Sequence, residues 1–466
     1  MTQRRILIGM ALVWLLPWRV EAQEQALLYG RLLTDATVSP RYSHYNTTSA
    51  SEANQHRTYP FTSYKLSKLR VHCTTNVLAD QQTITIRADG SPTALSCAVT
   101  AGTADCSDDD TTSALSAATF ISIESVGTTL AGSQTCYWTA QVTDAGGGAL
   151  PSLIEWGSPD PVTFVAGRVC GPATRAFTHP LMCTLTDPVL VAVAIPTSGT
   201  IGGFAASAEA LGVASSVTLK LCKLRGNNSC DSDANGDTGL SAVLNPTTTH
   251  VEVVGGCTNA SCSASAGDRY YVRLSAVSGT TGTRFLHLSF TVSGQGQTLF
   301  WAREQTTTGT NYSTWTDNGA TLAGQLYRLP VATTAQNMVC WADTLITGPT
   351  ATYFCSGATV TPSCPADATR FGCTWASSTT CTSAGPLATA ANDYVTVKAG
   401  AAGGAADQYY GCSLELAGPL PATATPTVTP TPTLTPTITP TNTPGTCYLD
   451  SECPPGWHCI APTPTP

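Results

Sequence analysis

The sequence predicts an all-β protein: three tandem, disulfide-stapled β-sandwiches, jelly-roll-like or immunoglobulin-like, followed by a disordered Thr/Pro-rich linker. Three observations predict it. Short runs of alternating apolar and polar residues recur with Gly, Asn and Asp turns between them. After the first 22 residues no long segment carries a 3.6-residue apolar period. The 19 cysteines fall into groups that repeat along with the strands.

Composition sets the class. Charged residues are 11% of the 466, well under the roughly 25% of an average soluble protein. Thr, Ser, Ala and Gly take their place, as in many secreted β-proteins. The net charge is −8 with no Lys/Arg stripe, which argues against a nucleic-acid partner.

Residues 1–22 read as a signal peptide. Arg4 and Arg5 supply the positive start, residues 6–16 the apolar core, and Ala22 the small residue at the cleavage point. Pro17 and Arg19 interrupt the apolar run, so it is short for a membrane anchor. No later segment has 18 unbroken apolar residues, so no transmembrane helix is expected after signal removal. A secreted or cell-surface location follows.

The three units span 23–150, 151–296 and 297–418. Each opens on an aromatic strand, aligned as Leu28, Ile154 and Phe300, offset by 126 and 146 residues. Each has a proline ahead of a new strand: Pro60, Pro196 and Pro330. Each repeats a turn-plus-strand marker, at 117–124, 265–274 and 390–398. Alternation there points Ile121 and Ile123, then Tyr270, Val272 and Leu274, then Val395 and Val397, into the cores. Residues 83–87 and 217–221 are further alternating strands. Asp89-Gly90, Gly226-Asn227 and Asn318-Gly319 are expected turns.

The sixteen cysteines before residue 419 divide as four, six and six. Aligning the units predicts Cys73–Cys136 and Cys340–Cys412 as long clamps. Cys97–Cys106, Cys373–Cys381 and Cys257–Cys262 become hairpin clips, and Cys222–Cys230 matches Cys355–Cys364. Cys170–Cys183 remains. Chain entropy favours the clamps, at about 4 kcal/mol against about 2.5 kcal/mol for a clip. Zinc is the competing reading, but Cys-x2-Cys pairs are absent and His is scarce.

Residues 419–446 form the linker. Proline every second or third position excludes helix and central strand and favours polyproline II, reaching roughly 70 Å. Residues 447–466 form a short Cys-rich tail. Its three cysteines, Cys447, Cys453 and Cys459, are an odd number, which suggests truncation, an intermolecular bridge or a free thiol.

Asp231, Asp233, Asn235 and Asp237 present alternate oxygen ligands with Gly236 at the sixth position, the first half of a calcium loop. Position twelve is Ala242, so the bidentate carboxylate is missing, and a polar turn is the competing reading. Calcium here would be structural, and no other cofactor is implied. Asp108-Asp109-Asp110 reads as a solvated turn.

No catalytic residues are assigned. A Gly-x-Ser-x-Gly elbow is absent, the glutamates are scattered, and Gly146-Gly147-Gly148 lacks a following Lys. His72 beside Cys73 reads as a packing position. Tyr312 and Trp315 are the preferred glycan-stacking pair, because their segment looks loop-like; Trp138, Trp156, Trp301, Trp341 and Trp375 are weighed against core packing.

The run from Asp89 to Cys97, Cys106 and Ile121-Ser-Ile123 resembles uncharacterised exported bacterial or phage-associated tandem β-sandwich repeat proteins. The Thr-Pro stalk and Cys-rich end resemble the ends of large secreted bacterial proteins. The resemblance covers fragments of the chain and implies no activity. The expected function is a non-enzymatic structural or adhesive protein, its sandwiches forming a rod. A carbohydrate-binding extracellular protein is the alternative, and a secreted hydrolase assembled from distant loops a second. Surface glycans or other extracellular proteins are the corresponding partners.

Overall fold

The computed structural model describes residues 26–418 except loop stretches at 35–39, 44–47, 50–51, 53–56, 75–80, 118, 128–133, 158–160, 172–182, 184–185, 226–229, 231–235, 255–256, 280, 306–310, 314–317, 320–325, 347–349, 363–370, 376, 384 and 400–407. The expected signal peptide, linker and tail lie outside the described residues.

The described chain is β-strand throughout, with short 3-10 turns such as Pro188–Leu190. The first sandwich holds β1 (Ala26–Thr34), β2 (Arg41–Ser43), β3 (Thr48–Ser49), β4 (Ser63–Cys73), β5 (Gln81–Ala88), β6 (Ser91–Thr100), β7 (Asp105–Ser116), β8 (Ile121–Gly127) and β9 (Gln134–Asp144). The second holds β10 (Ser152–Gly157), β11 (Val162–Thr163), β12 (Val169–Cys170), β13 (Val193–Ala194), β14 (Gly199–Ala208), β15 (Ser216–Lys223), β16 (Asp237–Leu244), β17 (His250–Val254), β18 (Ser263–Ala264), β19 (Arg269–Ser278), β20 (Thr283–Arg284) and β21 (Leu286–Ser293). The third holds β22 (Gln297–Gln305), β23 (Asn311–Ser313), β24 (Asn318–Gly319), β25 (Tyr327–Arg328), β26 (Thr333–Ile346), β27 (Thr350–Gly357), β28 (Gly372–Trp375), β29 (Ser378–Ser383), β30 (Leu387–Thr389), β31 (Tyr394–Ala399) and β32 (Gln408–Ala417).

The sheet orders repeat three times. One sheet runs β1-β9-β4-β7, then β10-β21-β14-β17, then β22-β32-β26-β29. The other runs β2-β8-β5-β6, then β12-β19-β15-β16, then β23-β31-β27-β28. Counting eight strands per sandwich, these are the orders 1-8-3-6 and 2-7-4-5. That is the antiparallel jelly roll, two Greek keys folded into facing sheets. All named pairings are antiparallel, so each sandwich buries one face of each sheet against the other.

Local chemistry places several elements. Asp89 and Gly90 take φ of 48° and 77°, the left-handed pair that a tight hairpin between β5 and β6 requires. The inward positions expected at the three turn-plus-strand markers are buried: Ile121, Ile123, Tyr270, Val272, Leu274, Val395 and Val397. Four expectations are corrected. Asn318-Gly319 is not a turn but strand β24, paired with β23. Asp108-Asp109-Asp110 lies inside β7 at a bulge opposite Leu69, where the Asp108 carboxylate accepts from the Ser96 and Thr111 amides. Phe300 is not the third partner of Leu28 and Ile154. Those two face Ala140 and Phe290, core positions of the last strand, and the residue in that place is Leu299, opposite Leu414.

The fourth correction concerns the rod. The sandwiches close a cycle of contacts within one compact unit that takes in all the described residues. Leu153 of the second sandwich enters the core of the first, and Phe300 of the third enters that of the second. Leu27, Tyr29 and Tyr137 of the first enter that of the third. A rod would leave the first and third apart. Here each sandwich covers the outer face of the next one's 1-8-3-6 sheet, so three such faces leave water together. The segment doing so precedes the third strand of each sandwich. Its equivalent pairings are Arg57 with Ile121, Val193 with Tyr270 and Tyr327 with Val395.

Candidate functional site: buried polar clusters between the sandwiches

The three prolines seen as repeat markers sit in this covering segment. A methyl on Gly203 would come within 2.8 Å of the Pro60 Cβ, so Pro60 lies against β14 of the second sandwich. Where each segment lands, polar side chains are shut in.

At the first contact, Arg57 crosses into the second sandwich. Its Nη1 lies 3.5 Å from the Glu155 carboxylate and donates to the Tyr29 carbonyl at 2.9 Å. The guanidinium lies over the Trp138 ring, 4.9 Å from its centre. His287 Nε2 stands 3.1 Å from the other oxygen of Glu155, and the Tyr59 ring meets His287 edge-on. Arg57, Glu155 and His287 are all fully buried. Burial pushes the Glu155 carboxyl up to about 7, against the pull of Arg57. Burial, reinforced by Arg57, holds the His287 imidazole well below its ordinary range.

At the second contact, buried Glu415 on β32 receives four donors. The Gly296 amide reaches it at 2.7 Å, the Thr197 hydroxyl at 2.5 Å, Asn337 Nδ2 at 2.9 Å and Gln336 Nε2 at 3.1 Å. Asn337 adopts φ of 53° at the bulge in β26, and Lys68 takes the same angle at the matching bulge in β4.

At the third contact, Asp105 of the first sandwich holds His72 Nδ1 at 2.9 Å and accepts the Tyr394 hydroxyl of the third at 2.5 Å. Arg328 approaches the same carboxylate at 3.7 Å. Buried Arg70 donates to Asp109 and to Asn392. Burial pushes Asp105 up, but the hydrogen bonds from His72 and Tyr394 and the charge of Arg328 outweigh it and keep the carboxyl below its usual range. Burial and Asp105 push the Tyr394 phenol up to about 12.

Gln297 ties the first strands together. Its Oε1 accepts the Leu27 amide at 3.0 Å and the Leu153 amide at 3.3 Å, while its Nε2 donates to the carbonyls of Leu153 and Thr298. One side chain thus bonds residues of all three sandwiches. Neither Gln297 nor the Arg57–Glu155 pair stands out in the sequence, because their partners are 270 and 98 residues away. The three prolines were the available signal.

Both His–carboxylate pairs orient an imidazole as a general base would need. His72 is 3% exposed and His287 fully buried, so a dissolved substrate does not reach either ring in this arrangement.

Asp231, Asp233 and Asn235 of the expected calcium loop lie outside the described residues. Asp237 opens β16. Its carbonyl accepts Asn259 Nδ2 at 3.0 Å, and its carboxylate accepts the Gly239 amide and lies 3.6 Å from the Lys220 ammonium. Tyr312 lies on β23, opposite Gly319 and Lys398, whereas Trp315 lies outside the described residues. Trp138, Trp156, Trp341 and Trp375 are core residues.

Seven disulfides join Cys73–Cys136, Cys97–Cys106, Cys170–Cys183, Cys222–Cys230, Cys257–Cys262, Cys340–Cys412 and Cys373–Cys381. Cys355 is also disulfide-bonded, and its expected partner Cys364 lies outside the described residues. The sulfurs of Cys340, Cys373 and Cys381 lie within 4.8 Å of one another, a spacing that could suit a metal. All three are half-cystines, and a metal needs thiolates, so the oxidised chain offers no such ligand set there.

No protein-family model matches the chain, and no curated protein matches it in sequence. It is similar to a solved archaeal-virus structure described as "The Triple Jelly Roll Fold and Turret Assembly in an Archaeal Virus", at 9% identity over 85% of this chain and 90% of that chain, with a TM-score of 0.15. A superposition that loose adds nothing to the topology described above.

Proposed function

We propose that the chain is a secreted or cell-surface structural protein, adhesive or scaffolding, and not a catalyst. The observation that carries this reading is the closed cycle of three jelly rolls, locked by long and short disulfides. Its buried polar groups join one sandwich to the next. Breaking a buried charge pair leaves an uncompensated charge, so such pairs hold the sandwiches in the arrangement that keeps them together. Disulfides of this number persist in oxidising compartments, which supports a location outside the cytosol.

Two measurements test the reading. Fractionating the producing cells and labelling intact cells with antibody should find the protein in the medium or on the surface, with the sixteen cysteines that precede the linker blocked to alkylation. A cytosolic protein with free thiols would overturn it. A glycan array run on the same preparation should show no saturable binding. A specific glycan hit would favour the carbohydrate-binding alternative instead.

A further inference from the structure

Two disulfides of the third sandwich, Cys340–Cys412 and Cys373–Cys381, are neighbours in a way their counterparts in the first are not. On the central strand β26, Cys340 is flanked on both sides. Cys412 of β32 faces it on one side and is bonded to it; Cys381 of β29 faces it on the other and is bonded to Cys373. Paired residues on adjacent antiparallel strands point to the same side of the sheet, with Cβ atoms about 4.5–5.5 Å apart. A disulfide needs Cβ atoms roughly 3.5–4.5 Å apart, so either flank is within a small adjustment of bonding Cys340. The sulfurs of Cys340, Cys373 and Cys381 already lie within 4.8 Å of one another.

The first sandwich lacks this row. There Cys106 faces Val71, and Cys73 faces Cys136. The clip cysteine is displaced two residues along the strand from the clamp, roughly 7 Å.

We propose that Cys340, Cys373, Cys381 and Cys412 form a thiol–disulfide exchange cluster. Reducing the clip moves the bond of Cys340 from Cys412 to Cys381. Burial sets the order of events. Cys340 and Cys412 are fully buried, whereas Cys381 at 9% and Cys373 at 4% sit nearer the surface. A dithiol reductant therefore meets the clip first. It takes up the clip as two thiols and leaves as its own cyclic disulfide. The Cys381 thiolate then attacks the Cys340 sulfur. The Cys340–Cys381 bond forms, the Cys340–Cys412 bond breaks, and the Cys412 sulfur leaves as a thiolate that takes a proton. The exchange itself consumes no further electrons. It replaces the clamp that closes 72 residues with one that spans positions 340 to 381. The last strand, β32, is released from its covalent tie to β26, so the third sandwich becomes a redox-responsive element.

Limited reduction of the full-length oxidised protein tests this. One equivalent of dithiothreitol is followed by acid quench, alkylation and non-reducing peptide mapping. The expected result is label on Cys373 and Cys412 with a Cys340–Cys381 bridged peptide. In the first sandwich, label should fall on Cys97 and Cys106 with Cys73–Cys136 intact. Label on Cys373 and Cys381 with Cys340–Cys412 intact overturns the proposal. A second arm needs no reductant. In the full-length Cys373→Ser variant, mapping should find Cys340 bonded to Cys381 and Cys412 free. Bridged Cys340–Cys412 beside a free Cys381 overturns the proposal on that arm as well. Incubation at higher pH should speed the exchange about tenfold per unit below the thiol pKa, since the thiolate is the attacking species.

Discussion

Arg57 of the first sandwich and Glu155 of the second lie 3.5 Å apart with both side chains buried, joining sandwiches whose pairing the sequence does not announce. The charges are compensated within the interface, with His287 on the far oxygen of the carboxylate. Removing one partner strands the other. Arg57→Met is expected to destabilise the protein by about 3–5 kcal/mol. Adding Glu155→Gln should restore much of the loss, because neither buried charge then remains. Urea denaturation of wild type, both single variants and the double variant measures the coupling directly. Additive single effects would show that the pair does not act as a unit.

The same carboxyl sets a pH dependence with a definite sign. Glu155 titrates at about 7 in the folded protein against 4.5 for a free side chain. A raised folded value contributes stability below pH 4.5, and that contribution is lost as pH rises to about 7. It amounts to about 3 kcal/mol across the window. His287 acts oppositely. Its folded value is depressed below 6.5, so its contribution is present above that pH and is lost as pH falls. Glu155→Gln removes only the first dependence. Relative to wild type, the variant should therefore gain stability from pH 5 to about pH 7 and level off above it. Thermal melting across that range reads the difference, and parallel pH curves would count against the assignment.

The clamps should outweigh the clips. Cys73–Cys136 and Cys340–Cys412 close 63 and 72 residues, whereas Cys257–Cys262 closes five. Replacing both cysteines of the first clamp with alanine should cost about 4 kcal/mol, and the same change at Cys257 and Cys262 about 2 kcal/mol. Chemical denaturation of the two double variants ranks them.

Gly203 tests the docking of the covering segment. An added methyl would meet Pro60 Cβ at 2.8 Å and the Val253 carbonyl at 2.9 Å. Gly203→Ala should destabilise by about 1–3 kcal/mol through overpacking. Hydrogen exchange should rise on both sides of the contact, at residues 57–61 and along β14. A change confined to the second sandwich would place Pro60 elsewhere.

Gln297 is expected to matter more than its polarity suggests. Gln297→Leu leaves the amides of Leu27 and Leu153 without their acceptor in a buried site, at about 1–3 kcal/mol for each unsatisfied group. Loss of amide protection at residues 27 and 153 together would identify the effect as one at the junction of the sandwiches.

The strands most legible in the sequence are those of the outward sheets. Residues 238–244 of β16 alternate without interruption between buried and exposed, and β5 does nearly the same, so the period of two survives in the sequence. The cyclic packing erases that signal in the other sheets. Every residue of β10 is buried, and so are seven of the eight in β21. Polar residues such as Glu155, His287 and Ser289 therefore sit where alternation predicts water. The same burial explains the shift from Phe300 to Leu299 in aligning the third sandwich: Phe300 is apolar because it fills the neighbouring core, not its own.

Local information thus determined the β class, the threefold repeat, the turn at Asp89-Gly90 and the disulfide partners that the described residues contain. Each depends on neighbouring residues or on repetition of a pattern. Tertiary structure decided that the sandwiches close on one another instead of extending, and which polar side chains are buried between them. It also decided that Cys381 faces Cys340 while Cys106 misses Cys73. Those outcomes depend on contacts between residues tens to hundreds of positions apart and on bulges that shift register by a residue or two. Neither leaves a local period or composition to read.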